Sequence, residues 1–127
     1  MAKYRKKLEA DIRCPLEYGL AVFGGKWKSR IIYVLSADKK LRYSEIRKEM
    51  YNITDAVLAA TLKDLIADGI VDRKSYDEIP PRVEYSLTGK GNSVVPILQS
   101  ICRWSDIFYK EDVENEMTQC QKCDYHR

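Results

Sequence analysis

Long apolar runs are what this chain most plainly lacks: the longest, such as Ile31 to Leu35, falls far short of the roughly 18 to 20 residues of a spanning helix. No membrane partner is expected. The opening residues carry Lys3, Arg5, Lys6 and Lys7 with no apolar stretch after them, which argues against a secretory signal and makes a cytoplasmic location the expectation. Histidine is also scarce. His126 stands alone without a surrounding Ser, Cys or carboxylate cluster, so nucleophilic and acid-base catalysis have no constellation, and an enzyme is not expected. Gly24-Gly25-Lys26 is only superficially a phosphate loop, because the glycine spacing before a Lys-Ser pair is missing. Four cysteines, Cys14, Cys102, Cys120 and Cys123, read as thiols in a reducing compartment rather than as a disulfide framework.

What remains is an ordinary globular composition. Its 127 residues suit one domain, and 45% hydrophobic with 32% charged residues leaves enough apolar surface for a core, which excludes wholesale disorder. No repeat, low-complexity tract or linker divides residues 1–127, and 119–127 read as a polar tail. A net charge of +3 says little, but its distribution says more. Between positions 26 and 48 lie Lys26, Lys28, Arg30, Lys39, Lys40, Arg42, Arg47 and Lys48 against only Asp38 and Glu45, whereas the chain turns acidic after Ser105. Polyanions would be steered towards the first half.

Periodicity supplies the order of elements. Tyr4, Leu8 and Ile12 share one face of a short basic helix that ends before Cys14-Pro15, and nothing nearby in sequence covers that face. Leu16, Leu20 and Phe23 repeat at helical spacing until Gly24-Gly25 stops them. In the next helix Trp27, Ile31, Val34 and Leu35 point inward, with Lys26 and Arg30 on the flank. Leu41 suits a brief strand, and Ser44 is a plausible cap for a short helix carrying Ile46 and Met50. After a break at Tyr51-Asn52, Thr54 caps a helix whose stripe is Leu58, Leu62, Leu65 and Ile66, ended by Gly69. Two helices joined by so short a turn form a helix-turn-helix, and the second leaves Asp55, Ala56, Ala59, Ala60 and Lys63 on its free side.

Val71 to Tyr76 and Val83 to Leu87 alternate as strands around Pro80-Pro81, so a hairpin with Arg82 at its base or tip follows the helix-turn-helix. Thr88 then opens a long helix interrupted by Pro96, in which Val94, Ile97, Ile101, Trp104 and Phe108 follow a heptad seam. The expected fold class is α+β and predominantly helical: a winged helix-turn-helix with a wing sheet of two to three strands. Terminal dimerisation helices are expected over 1–13 and 94–118.

Two stretches are more specific than a generic winged helix. Cys14-Pro15-Leu16-Glu17-Tyr18 with Gly24-Gly25-Lys26-Trp27-Lys28 resembles the opening signature of the HxlR family of bacterial transcriptional regulators, within the MarR-like winged-helix superfamily. Pro80-Pro81-Arg82-Val83-Glu84-Tyr85-Ser86-Leu87-Thr88, with Gly89 and Gly91, resembles the family's wing and the start of its dimer helix. Leu41-Arg42-Tyr43-Ser44-Glu45-Ile46 and Leu65 to Val71 fall where that pattern expects them.

The resemblance implies a homodimer joined through its terminal helices, with Tyr4, Leu8, Ile12, Ile97, Ile101, Trp104 and Phe108 at the interface. Two recognition helices would meet double-stranded DNA at half-sites about 34 to 36 Å apart. Lys26, Lys28, Lys39, Lys40, Arg42 and Arg82 are the candidate phosphate contacts, helped by the hydroxyls of Tyr43 and Ser44. Thr54, Asp55, Ala56, Ala59, Ala60 and Lys63 would face the bases, but the three alanines depart from the family's usual polar choice and leave a thin code. Much of the specificity would then come from DNA shape and the wing. The rival reading is a winged helix that has lost DNA readout and docks on another protein.

Cys14 follows Arg13 and precedes a helix, two features that favour a thiolate, and some members of the family sense oxidants or electrophiles at this position. It is the candidate redox residue, and an oxidant or small-molecule signal is the implied input. Cys102 reads as packing beside the seam. Cys120, Cys123 and His126 offer three metal ligands at short spacing, but the fourth is missing, so no metal or other cofactor is expected.

Overall fold

A computed structural model of the chain describes residues 11–109. The first element is helix α1, Pro15–Phe23, whose rigid Pro15 suits the first helical position and whose start is tied by the Arg13 N–H donating to the Glu17 carboxylate at 2.8 Å. It ends at a two-glycine joint. The Gly24 N–H donates to the Leu20 carbonyl at 2.8 Å, and a side chain at Gly24 would place its Cβ 2.2 Å from that oxygen. Gly25 follows with φ of 89°, a left-handed value that other residues resist.

Helix α2, Lys26–Ala37, runs through the middle of the core and buries Ile31, Ile32, Val34 and Leu35. Its Lys28 reaches back to donate to the Ala21 carbonyl at 3.0 Å, clasping α1 to α2. Helix α3, Tyr43–Met50, buries Ile46 and Met50. Ser44 is not its cap. The cap position is Arg42, two residues earlier, with the Glu45 carboxylate accepting the Arg42 N–H at 2.8 Å, and Ser44 sits exposed in the first turn.

Helix α4, Asp55–Ala67, begins as expected: Thr54 Oγ1 accepts the Val57 N–H at 3.2 Å. Leu58, Leu62 and Leu65 are buried, Ile66 is half-buried, and Thr61 joins the buried side by donating its hydroxyl to the Val57 carbonyl at 2.7 Å. Strands β1, Val71–Tyr76, and β2, Arg82–Leu87, form an antiparallel hairpin in register from Val71 opposite Leu87 to Tyr76 opposite Arg82. The third strand of the expected sheet is a single bridge, in which Leu41 and Tyr85 exchange backbone hydrogen bonds at 3.0 and 2.8 Å.

Helix α5, Gly89–Asp106, is capped by Thr88, whose hydroxyl oxygen accepts the Gly91 N–H at 3.0 Å. Gly91 packs so closely on the Ile70 carbonyl that a Cβ there would stand 2.2 Å away. Thr88 opens the helix as the sequence suggests, and the helix closes at Asp106, inside the stretch 94–118 expected to dimerise; residues 110–118 lie outside the described residues. Most of the helix expected over 1–13 also lies outside them, but residues 11–13 are turn and irregular backbone, not helix, because Pro15 opens a new element.

Only part of the expected seam is core. Val94 is buried with Leu98, whereas Ile97, Ile101, Trp104 and Phe108 are exposed, Trp104 at 66%. The Trp104 and Phe108 rings lie 5.5 Å apart on this outward side. Leu16 and Leu20 of α1 are exposed too, and its buried residue is Val22. Among the described residues no helix is long and apolar enough to cross a membrane.

Candidate nucleic-acid interface

The periodicity that buries Leu58, Leu62 and Leu65 turns the rest of α4 outward. Asp55, Ala56, Ala59, Ala60 and Lys63 are all exposed, as the sequence requires of a recognition surface. Short side chains leave the helix backbone close to whatever approaches.

Its N-terminal end is braced by α3. Tyr43, half-buried, donates its hydroxyl to the Asp55 backbone carbonyl at 3.1 Å, and Arg47 Nε meets the Asp55 carboxylate at 2.7 Å. Burial pushes the Tyr43 phenol above its ordinary value of 10.0, the Asp55 charge adds to this, and Arg47 opposes it. The phenol therefore stays a donor at neutral pH. Asp55 is engaged with Arg47 at the helix start, which offsets the repulsion its carboxylate would offer a phosphate. Arg47 was missing from the sequence-derived site, although its place one turn after Tyr43 on α3 is the signal that aligns the two.

The other candidates are distributed unevenly. Lys39, Lys40, Arg42, Ser44 and Thr54 are exposed around the helix-turn-helix, with the Thr54 oxygen already capping α4. Lys26 is exposed with its ammonium 4.5 Å from the centre of the Trp27 ring, and Lys28 is drawn back onto α1. Arg82 is occupied. Its guanidinium lies 3.8 Å over the Tyr76 ring and pairs with Glu78 at 2.9 Å and Glu84 at 3.3 Å, bracing the wing at the last rung of its ladder.

Between α4 and the wing an open cleft of about 250 Å³ is lined by Tyr43, Ala59, Leu62, Lys63, Ile66, Arg73 and Tyr85. Arg73 was also missed, because a strand's alternation must be combined with its partner before its face is known. Cys14 is exposed at the start of α1, and the neighbouring Arg13 guanidinium pairs with Asp11 at 3.1 Å instead of standing free beside the thiol. Cys102 is half-buried in α5. Ile12 is half-buried and lines a groove of about 390 Å³ with Asp11, Glu17, Leu20 and Ala21. Tyr4, Leu8, Cys120, Cys123 and His126 lie outside the described residues.

A helix-turn-helix, a two-stranded wing and a long closing helix in this order define a winged helix-turn-helix protein. The family model described as HxlR-like helix-turn-helix matches residues 22–113, and the chain belongs to that family. It is 44% identical over 104 residues to an uncharacterised HTH-type transcriptional regulator of Halalkalibacterium halodurans, covering 82% of this chain and 92% of that one. Among solved structures it is similar to the redox regulator HypR in its oxidised form, with 41% identity, a TM-score of 0.69, and coverage of 77% of this chain and 100% of HypR. The reduced form of the transcriptional regulator YodB from B. subtilis matches with 34% identity, a TM-score of 0.70, and coverage of 80% and 100% respectively. The protein is a transcriptional regulator of helix-turn-helix type, not an enzyme.

Proposed function

We propose that the protein binds operator DNA as a homodimer and releases it when Cys14 is modified by an oxidant or electrophile. The observation that carries the DNA reading is the open side of α4, where Ala56, Ala59, Ala60 and Lys63 are exposed beside a braced N-terminus. Small side chains let the helix settle deep in a major groove, where alanine can meet a thymine methyl group. Lys63, Lys39, Lys40 and Arg42 supply phosphate contacts around it, and Arg82 acts by keeping the wing in shape. Dimerisation would cover the outward apolar residues Ile97, Ile101, Trp104 and Phe108 together with Leu16 and Leu20, which a monomer leaves in water. An exposed Cys14 at a helix start supports the thiol input, and the relatives named as a redox regulator and as YodB favour the same reading.

Selection of duplexes from a random pool, followed by gel-shift titration at several salt concentrations, tests the first half. Enrichment of a two-fold symmetric site is expected. Failure to prefer any sequence over random duplex would leave the alanine face as a protein-docking surface. For the second half, wild type and Cys14→Ser are compared for operator release by a mild electrophile. Equal release by both would move the sensor elsewhere.

A further inference from the structure

The cleft between α4 and the wing brings together two cations and no carboxylate. Lys63 reaches it from α4, one turn after Ala59. Arg73 reaches it from β1. The antiparallel register sets Arg73 opposite Tyr85 and Val71 opposite Leu87, and residues two apart on a strand share a face. Arg73 therefore stands on the side of the hairpin that carries buried Val71 and Tyr85, turned towards α4. Its Nη1 donates to Ser75 Oγ at 3.1 Å, which orients the guanidinium and leaves Nε and Nη2 for an acceptor.

Like charges gathered above an apolar floor repel unless an anion shares them. The cleft is also continuous with the outward side of α4, because Ala59 belongs to both. A duplex lying against that side brings backbone oxygens to its edge, where donors fix the register of the helix. We propose that this cleft seats one phosphate of the DNA backbone, held jointly by Lys63 and Arg73, which makes Arg73 of the wing strand a DNA-binding residue. The proposal rests on the DNA reading given above and adds a residue and a shared anion site to it.

Operator affinity of the full chain is measured against salt for wild type, Lys63→Gln, Arg73→Gln and the double variant. A phosphate contact contributes a slope of roughly 0.9 in log affinity against log salt. Each single change is expected to lower the slope by about that amount and to weaken all duplexes alike. Because both cations are needed to seat the one phosphate, the double variant should lose about 0.9 in total, not about 1.8. Arg73→Lys should restore the slope. Two separate losses in the double variant, unchanged slopes in the singles, or weakening confined to certain sequences would overturn the proposal.

Neutral methylphosphonates placed one at a time along the operator give a second measurement that does not rely on an Arg73 variant. One position should weaken wild type and leave Lys63→Gln unaffected; the absence of such a position overturns the shared seat. If wild type holds no duplex even at low salt, the DNA reading itself fails. The cleft is then judged by titrating inorganic phosphate and following the amide resonances of Ala59, Lys63 and Arg73. Shifts there would keep the anion seat with a free phosphate compound as its occupant, and no shift would end it.

Discussion

Lys90 Nζ stands 2.7 Å from Tyr18 Oη and 2.9 Å from the Asp68 carbonyl, so one ammonium joins α1 to the end of α4 from the first turn of α5. A cation at that carbonyl also complements the negative end of the α4 dipole. The link runs between the helix that follows Cys14 and the helix proposed to read DNA.

Lys90→Met should remove both hydrogen bonds while keeping most of the aliphatic stem. We expect a loss of about 1 kcal/mol in urea unfolding, modest because the pair is exposed. Hydrogen exchange at Gly69 and Ile70 should accelerate. Unchanged exchange there would mean that the ammonium does not hold the end of α4.

Arg82 acts on the wing from within. With its guanidinium stacked on Tyr76 and paired to Glu78 and Glu84, Arg82→Ala should speed hydrogen exchange at Tyr76 and Glu84, whose amides lie in the ladder. Operator affinity should fall while the salt slope stays the same. A slope reduced by about 0.9 would instead assign Arg82 a phosphate of its own.

Gly91→Ala should destabilise the chain by about 3 kcal/mol in urea unfolding, because the new methyl carbon would stand 2.2 Å from the Ile70 carbonyl and α5 must shift to admit it. Gly89→Ala, where a Cβ meets nothing within 4 Å, is the control and should change stability far less.

Tyr43→Phe removes the hydrogen bond to the Asp55 carbonyl and should cost about 1 kcal/mol at neutral pH. The pH dependence has a definite sign. Folded Tyr43 holds its proton to higher pH than the unfolded chain does, mainly through burial and then through the Asp55 charge. Its contribution is therefore complete below about pH 10 and is lost as pH rises through the raised value. Wild type should lose its advantage over Tyr43→Phe above about pH 10 in unfolding titrations. A gap that stayed constant in alkali would place the phenol in water.

Local grammar made much of this architecture legible. Thr54 and Thr88 announce helix starts because a cap needs only a hydroxyl beside the first turn, and the buried stripe of α4 follows from spacing alone. Ser44 misleads because Glu45 and the Arg42 backbone do the capping, so the helix begins before the first residue with a suitable side chain. The spacing of Leu16 and Leu20 defines a face, but no local pattern says whether the chain covers it, and both are exposed. Arg47, Arg73 and Lys90 escape for a related reason. Their partners, Asp55, the α4 cleft and Tyr18, are brought near only by tertiary packing.

The Gly24-Gly25 joint has a reach well beyond its size. Neither position accepts a side chain easily, one for lack of room and the other for its backbone angle, so the direction in which α1 leaves α2 depends on both glycines. That direction sets where the outward leucines of α1 lie relative to the aromatic end of α5. In the proposed dimer, substitution at either glycine would re-aim the surface by which one copy meets another, and the distance between the paired reading helices, hence the operator spacing accepted, would change with no alteration to the residues proposed to touch bases.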